Sequence, residues 1–158
     1  MTVTDPSPTD TADELLVASR VLVAVAARSL AGIEREVSVV QFRALVVLWE
    51  HEPRTLAALA HELDVQPSTA TRLCDRLVAK DLIDRTVGEA SRREVELRLT
   101  DTGRELVGQV IEQRRRDLVR ITRRLTPTQR RQVLDAFRTF DAAASALVEH
   151  DSTVPWPT

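Results

Sequence analysis

Hydrophobic residues recur at helical spacing through most of this chain and alternate with polar residues only near its middle. The helical pattern predicts six helices, running from Thr11 to about Gly32, from Ser38 to about His51, after Thr55, from Pro67 to about Lys80, after Thr100 and after Thr126. Period-two alternation predicts two short strands at 82–87 and 95–99, joined by a turn near Gly88. The pattern therefore indicates a mainly α-helical protein with a small β-hairpin.

Capping signals mark the starts of several of these helices. A Ser or Thr followed three residues later by Glu or Gln lets the two side chains satisfy backbone N–H groups reciprocally. Such pairs are Thr11–Glu14, Ser38–Gln41 and Thr126–Gln129. Thr55 and Thr100 are also predicted to cap the helices that follow them. Residues 1–10, which contain two prolines, and residues 151–158 are predicted to be flexible ends, leaving residues 11–150 as a single domain.

Composition limits the class of protein. A chain of 158 residues is long enough for one well-buried domain, and its formal charge of −2 confines any nucleic-acid surface to a local patch. One cysteine excludes an intrachain disulfide and suits a reducing compartment. The apolar run at 21–27 is far shorter than the roughly 20 residues of a membrane span. We therefore expect a soluble, cytoplasmic protein without a membrane partner.

The first helix is apolar around most of its circumference, and Arg20 and Arg28 are its only charges between Leu15 and Glu34. A helix of this kind must be buried on more than one side. The core of a small domain covers one side, so we expect a second subunit to cover the rest. The sequence thus predicts a homodimer.

The fourth helix has a predicted inward stripe of Ala70, Leu73, Cys74, Leu77 and Val78. Its outward face begins with small hydroxyl residues, which allow the first turns of a helix to approach base edges, and its arginines suit guanine edges or phosphates. The candidate DNA-binding residues on this face are Ser68, Thr69, Thr71, Arg72 and Arg76. In isolation, the same pattern is equally typical of a capped surface helix.

The β-hairpin adds a second basic element directly after this helix. Arg92 and Arg93 lie close to its glycine turn, and a thin basic ribbon suits the minor groove, where Arg senses a narrow, A·T-rich channel. A pair of arginines alone usually marks a solvated surface. A helix, a turn, a second helix and a basic hairpin in this order are more specific, and they indicate a winged helix-turn-helix.

Over nearly its whole length the chain resembles the MarR family of winged-helix regulators. The resemblance is carried by the segments QFRALVVL, TLAALAHEL, VQPSTATRLCDRLVAKDLIDR and SRREVELRLTDTG. It implies a winged helix-turn-helix at 36–100 and dimerisation helices at 11–35 and 101–150 that interlock in a homodimer. It also implies two recognition helices in successive major grooves and a wing in each flanking minor groove.

The resemblance also implies roles for single residues. Ser68, Thr69, Thr71 and Arg72 would contact bases or phosphates, whereas Arg93 would enter the minor groove. Arg76 and Arg92 would contact phosphates.

This chain departs from the family pattern at three positions. Family members usually have Gly where Asp64 and Asp81 stand, and Asp where Ser91 precedes the wing arginines. Because Asp tolerates the left-handed backbone expected at the first two positions, we expect the fold to survive there. Ser91 predicts a looser wing.

Other candidate sites are weaker. A redox role for Cys74 competes with its inward spacing, which favours a buried and inert thiol. Three histidines beside glutamates lack the spacing of a metal site: His51, His61 and His150. The arginines at 114–116, 120, 123 and 124 favour a solvated face that pairs with acids such as Asp117. No nucleophile–base pair or phosphate-binding glycine loop is present, so we expect neither an enzyme nor a cofactor or metal.

These patterns favour a sequence-specific regulator that binds double-stranded DNA. The family implies a homodimeric repressor on a palindromic operator, which a small-molecule effector releases from DNA. Its ligand pocket would lie between the dimerisation helices and the winged part, with Phe42, Arg43 and Trp49 as possible lining residues, although core packing is favoured for Phe42 and Trp49. The alternative is a winged-helix protein-interaction module without specific DNA binding. The negative net charge of the chain and the altered residues of the turn and the wing support this alternative.

Overall fold

The structure, a computed structural model, describes residues 5–52, 54–87 and 95–150. The elements of these residues are, in order, α1 (Pro8–Leu30), α2 (Val39–Glu50), β1 (Arg54–Thr55), α3 (Leu56–Glu62), α4 (Pro67–Val78), β2 (Ile83–Val87), β3 (Val95–Leu99), α5 (Asp101–Thr122) and α6 (Pro127–His150). The strands form one antiparallel sheet in the order β1-β3-β2. The predicted fold class, mainly α-helical with a small β wing, is confirmed.

Side-chain caps form at four helix starts as predicted. In each, a hydroxyl oxygen accepts a hydrogen bond of 3.0 to 3.3 Å from the backbone N–H three residues later. The four hydroxyls belong to Ser38, Thr55, Thr100 and Thr126. Gln41 and Gln129 accept the reciprocal bonds, so the two capping boxes predicted at these helices are complete.

The start of α1 differs from the prediction. The helix begins at Pro8 rather than after Thr11, because Ser7 Oγ accepts from the Asp10 N–H at 3.2 Å and the Asp10 carboxylate accepts from the Ser7 N–H at 3.0 Å. Pro8 suits the first helical position, where an N–H would have no partner. Residues 8–10, expected to belong to a flexible lead, are therefore helical. The sequence pattern did not reveal this cap because its third residue is Asp10 rather than the usual Glu or Gln.

The sheet also differs from the prediction, because it has a third strand. β1 pairs with β3 through Arg54 opposite Leu97 and Thr55 opposite Glu96. A strand of two residues is too short to show a period-two pattern in the sequence. β2 and β3 form the predicted hairpin pairing, from Ile83 opposite Leu99 to Val87 opposite Val95.

The hydrophobic core lies in the winged part, which comprises α2 to β3, and includes the start of α5. Its fully buried large side chains are Leu45, Leu48, Leu59, Leu77, Ile83, Leu97, Val107 and Val110. Val37 and Phe42, which flank the start of α2 at the positions of a hydrophobic staple, are both buried beside them. Burying a Leu or Ile side chain contributes about 1.5–3 kcal/mol, so this cluster is the main stabilising unit of the single chain.

Two helices end in a left-handed residue, as the resemblance implied. Asp64 has φ 52° and Asp81 has φ 56°. The next residue closes each turn in a Schellman motif: the Val65 N–H donates to the Ala60 carbonyl oxygen and the Leu82 N–H to that of Leu77, both at 3.0 Å. This backbone costs a residue other than Gly roughly 1 kcal/mol, yet both turns form.

The turn that follows α4 packs directly against the first turn of α5, at a contact that we call the α4–α5 corner (Asp81, Leu82, Thr100 and Gly103). Thr100 Oγ1 donates to the Asp81 carbonyl oxygen at 2.6 Å, and the Thr100 N–H donates to the Leu82 carbonyl oxygen at 3.2 Å. A Cβ at Gly103 would lie 2.1 Å from the Leu82 carbonyl oxygen. The corner therefore requires glycine at this position.

The helices outside the winged part leave much apolar surface exposed. α1 buries only Val25 and Ser29, and none of the described side chains of α6 is buried. Large exposed apolar residues on α1, α5 and α6 include Leu16, Val17, Val21, Leu22, Ile121, Val133, Leu134, Phe137 and Phe140. Soluble monomers rarely expose extended apolar patches. No helix in the described ranges is long and apolar enough to cross a membrane.

Gly103→Ala is expected to lower the free energy of unfolding by about 1–3 kcal/mol, because the added methyl group must displace a backbone carbonyl. Gly108→Ala, on the same helix, is the matched control. No atom lies within 4 Å of a Cβ at Gly108, so this change should raise stability by up to about 1 kcal/mol. Urea unfolding of both variants measures the difference, and equal effects would contradict the packing of the corner.

Candidate nucleic-acid interface

The face of α4 that points away from the core carries five of the predicted DNA-binding residues. Four of them are exposed: Ser68, Thr69, Arg72 and Arg76. The fifth, Thr71, is half-buried, and its hydroxyl donates to the carbonyl oxygen of Pro67 at 2.9 Å. The helix thus presents two hydroxyls and two guanidinium groups on one exposed surface.

The opposite face of α4 holds the helix in the core. Ala70, Leu73, Cys74 and Leu77 are buried, as predicted. The prediction for Val78 is wrong, because this side chain is 40% exposed. Successive residues of a helix are turned by about 100°, and the step from Leu77 carries Val78 out of the buried stripe.

The first turn of α4 has no side-chain cap. Gln66 is the N-cap residue and its side chain makes no capping hydrogen bond, while Pro67 occupies the first helical position. The N–H groups at the start of a helix carry a partial positive charge and suit an anion such as phosphate. This end of α4 is therefore chemically compatible with a nucleic-acid backbone.

Arg85 on β2 holds α4 from the side of the sheet. Its Nη2 lies 2.7 Å from Asp75 Oδ1 and donates to the carbonyl oxygen of Thr71 at 3.4 Å. Asp75 is the only acidic residue of α4, so Arg85 offsets the one negative charge on a face otherwise lined by arginines and hydroxyls. Both side chains are partly exposed, which limits the pair to less than about 1 kcal/mol of stability.

The alternation of residues along β2 contains a signal for the role of Arg85, which was not among the predicted site residues. Residues two apart on a strand point to the same side of a sheet, so Arg85 shares a side with Ile83, which is fully buried. A charged residue in register with a core residue indicates a specific partner. Here that partner is α4.

Cys74 lies beneath the exposed face of α4, and its side chain is fully buried. Burial raises the pKa of the Cys74 thiol, and the nearby Arg85 charge only partly offsets this effect. A protonated and buried thiol is a poor nucleophile. The predicted burial of this cysteine is confirmed.

The wing arginines Arg92 and Arg93, together with Ser91 and the turn at Gly88, lie outside the described residues. The strands that lead to them remain paired up to Val87 and Val95. At the other end of this hairpin, Glu52 accepts a 2.6 Å hydrogen bond from the Leu99 N–H and forms an ion pair with Arg104. Glu52 therefore anchors the base of the wing to the first turns of α5, a role that the sequence pattern did not reveal.

Two cavities of about 600 and 640 Å³ lie between α1 and α5. Neither is lined by Phe42, Arg43 or Trp49, the lining residues considered from the sequence. Phe42 belongs to the core, as favoured, whereas Trp49 is 42% exposed and the expectation of core packing is wrong for it. Arg43 donates to the carbonyl oxygen of Glu62 at 3.4 Å.

Several other polar side chains of the described residues have structural partners. Arg120 pairs with the buried Asp117 at 3.5 Å, as the sequence suggested, and Arg114 Nε donates to Ser29 Oγ at 3.4 Å. Across the ranges that the structure covers, no three His, Cys, Asp or Glu residues form a group that would hold a metal ion. The exposed face of α4 is thus the candidate site.

Known proteins match the winged part and, as solved structures, most of the chain. The MarR family model matches residues 37–95. Over 63 residues the chain is 38% identical to the HTH-type transcriptional repressor MdtR of Bacillus subtilis, and this match covers 40% of the chain and 41% of the repressor. The chain therefore spans less than half the length of this curated relative.

Solved structures extend the match beyond the winged part. The crystal structure of RV1404 from Mycobacterium tuberculosis is 42% identical in sequence, with a TM-score of 0.82 over 90% of this chain and 98% of that one. The chain belongs to the MarR family. A point mutant of MepR from S. aureus, solved bound to an oligodeoxyribonucleotide, shares the fold of this MarR-family chain with 19% identity and a TM-score of 0.64, over 85% and 97% of the two chains.

Cys74 of this MarR-family protein is expected to react with Ellman's reagent at pH 8 on the order of 100-fold more slowly in the folded than in the urea-unfolded state. Burial blocks access, and the raised pKa lowers the thiolate fraction. The control is Ala79→Cys in a Cys74→Ala background, because Ala79 is exposed at the end of α4. Folded-state labelling of Cys74 as fast as that of this control would show the thiol to be accessible.

Proposed function

We propose that this protein is a transcriptional regulator that binds a specific site in double-stranded DNA as a homodimer. The observation that carries the proposal is the exposed face of α4, which combines short hydroxyl side chains at an uncapped helix start with Arg72 and Arg76. A helix of this kind fits the major groove, where small residues permit close approach and Arg forms bidentate bonds with guanine.

The relatives support this reading of α4. MdtR is named a transcriptional repressor, and the MepR mutant with the same fold was solved with an oligodeoxyribonucleotide. By analogy the protein acts as a repressor in the cytoplasm and covers a palindromic operator. Two α4 helices related by the dimer axis would enter successive major grooves about one helical turn apart.

The contact residues divide into two groups in this proposal. Ser68, Thr69, Thr71 and Arg72 contact bases and nearby phosphates, and Arg76 contacts a phosphate further along the backbone. In the wing, Arg93 enters the minor groove and Arg92 binds a phosphate. Because Arg85 neutralises Asp75, the face of α4 meets the DNA without an uncompensated negative charge.

The exposed helices outside the winged part support the homodimer. Apolar residues on α1, α5 and α6 remain uncovered in a single chain, and a second copy presents the same faces for mutual burial. Such a dimer fixes the separation of the two α4 helices. The apolar faces therefore contribute to DNA recognition as well as to stability.

The proposal also includes release from DNA in response to a small-molecule ligand. The 600 Å³ cavity between α1 and α5 is large enough for a small molecule, and its lining includes Arg28, Ser29 and Gln113. A ligand that binds more tightly to a dimer with the wrong spacing of its α4 helices would shift the population away from DNA.

Salt-dependent DNA binding tests the proposal. Fluorescence anisotropy is measured on a palindromic fragment from the promoter beside the gene, at several salt concentrations and with a scrambled fragment as competitor. Specific binding is expected to weaken steadily as salt rises, because bound protein displaces counterions from phosphates. Arg72→Ala should weaken it by about 1–3 kcal/mol if Arg72 makes a bidentate base contact.

Arg115→Ala is the matched control, since this arginine is exposed on α5 rather than α4. It is expected to leave specific affinity within about twofold of the native value. Loss of the same size in both variants would remove Arg72 from the contact surface. No specific binding by the native dimer at low salt would favour the protein-interaction module.

A further inference from the structure

The first turns of α1 project past the end of the helix on which α1 packs. Ser29 bonds to Arg114, whereas Arg20, nine residues earlier, lines a cavity together with Arg124. α1 and α5 are therefore antiparallel, and α5 ends at Thr122. Continued at 1.5 Å per residue, residues 8–17 extend roughly 15 Å beyond α5.

This projecting segment is acidic and apolar, and its own chain covers almost none of it. It carries Asp10, Asp13 and Glu14 in its first two turns, followed by Leu16 and Val17, which are 63% and 56% exposed. The Asp10 carboxylate caps the helix through Ser7, whereas Asp13 and Glu14 form no ion pair with any described residue. A short helical segment is only marginally stable without tertiary packing.

A basic surface lies where α5 turns into α6. We call Arg123, Arg124 and Arg131 the arginine turn. All three are exposed, and within the described chain none of them has an ion-pair partner. The neighbouring Arg130 donates to the Leu125 carbonyl oxygen at 2.9 Å and so belongs to the turn itself. Like charges repel, so an acidic partner would stabilise this basic segment.

We propose that the projecting start of α1 docks on the arginine turn of a second copy of this chain. The proposal rests on the homodimer proposed above and specifies how its two subunits are aligned. Asp13 and Glu14 of one copy face the arginine turn of the other, while Leu16 and Val17 pack on the exposed apolar side chains at the start of α6. The twofold axis repeats the contact, so each dimer contains it twice.

Charge complementarity is what selects the second copy as the occupant. Two acids of the projecting segment, Asp13 and Glu14, and the three bases of the arginine turn have no ion-pair partner among the described residues. A dimer that placed two acidic segments or two arginine turns together would be opposed by like-charge repulsion. The charges therefore favour one alignment of the exposed apolar faces of α1, α5 and α6 in the dimer.

Charge reversal tests the contact in the full-length protein. One variant carries Asp13→Lys and Glu14→Lys, which leaves the Ser7–Asp10 cap intact. The other carries Arg124→Glu and Arg131→Glu, which leaves the C-cap residue Arg123 of α5 in place. Each variant alone is expected to dimerise at least about tenfold more weakly than the native chain, by sedimentation equilibrium.

Mixing the two variants should restore dimerisation, because both symmetric contacts then join opposite charges again. Native mass spectrometry is expected to show the mixed dimer in excess over either variant dimer. Glu34→Lys with Glu50→Lys is the matched control, since it makes the same charge change at exposed residues before the start and at the end of α2. This control should dimerise as the native chain does, and circular dichroism checks the helix content of every variant.

Two results would overturn the proposal while leaving the homodimer in place. In the first, both charge-reversed variants dimerise as strongly as the native chain. In the second, each variant dimerises weakly but their mixture forms no excess of mixed dimer, which is the result expected if the acids and arginines pair within one chain. A native protein that stays monomeric throughout the concentration range would overturn the homodimer as well. The three results are distinguishable in the same two measurements.

Discussion

The contact between Gly103 and the Leu82 carbonyl oxygen fixes how the winged part is joined to the long helices. At the α4–α5 corner the first turn of α5 rests on backbone, at a separation that leaves no room for a Cβ. Thr100 adds a cap and two hydrogen bonds to the same turn. Backbone yields far less than a flexible side chain, so the corner restricts how the turn after α4 can move relative to α5.

Polar contacts extend this constraint to both sides of α4. Arg85 ties its middle to β2, while Lys80 Nζ donates to the Glu36 carbonyl oxygen and to Gln41 Oε1 at its end. Glu52 joins the base of the wing to Arg104 on α5. The exposed face of α4 and the hairpin beside it thus move with α5, and in the proposed homodimer a change in the packing of the long helices would reposition both.

Local sequence signals predicted the parts of the fold that depend on neighbouring residues. The caps at Ser38 and Thr100 and the turn at Asp81 follow from side chains within a few positions. β1 was missed because only its pairing with β3 defines it, and the roles of Glu52 and Arg85 arise from partners 52 and 10 residues away. Helical periodicity alone places the five candidate residues on one face of α4, so the sequence was sufficient to predict them. The close contact of Gly103 with the Leu82 carbonyl oxygen depends instead on how two turns that are distant in sequence meet.

The distance between the two α4 helices is the most direct test of this coupling. A nitroxide attached through Ala79→Cys in the Cys74→Ala background reports that distance by double electron–electron resonance in the proposed homodimer. With Gly103 present, one narrow distance distribution is expected, since the corner holds α4 rigidly on α5. Gly103→Ala in the same labelled dimer should broaden or shift the distribution. An identical narrow distribution in the two proteins would contradict the control of α4 by the corner.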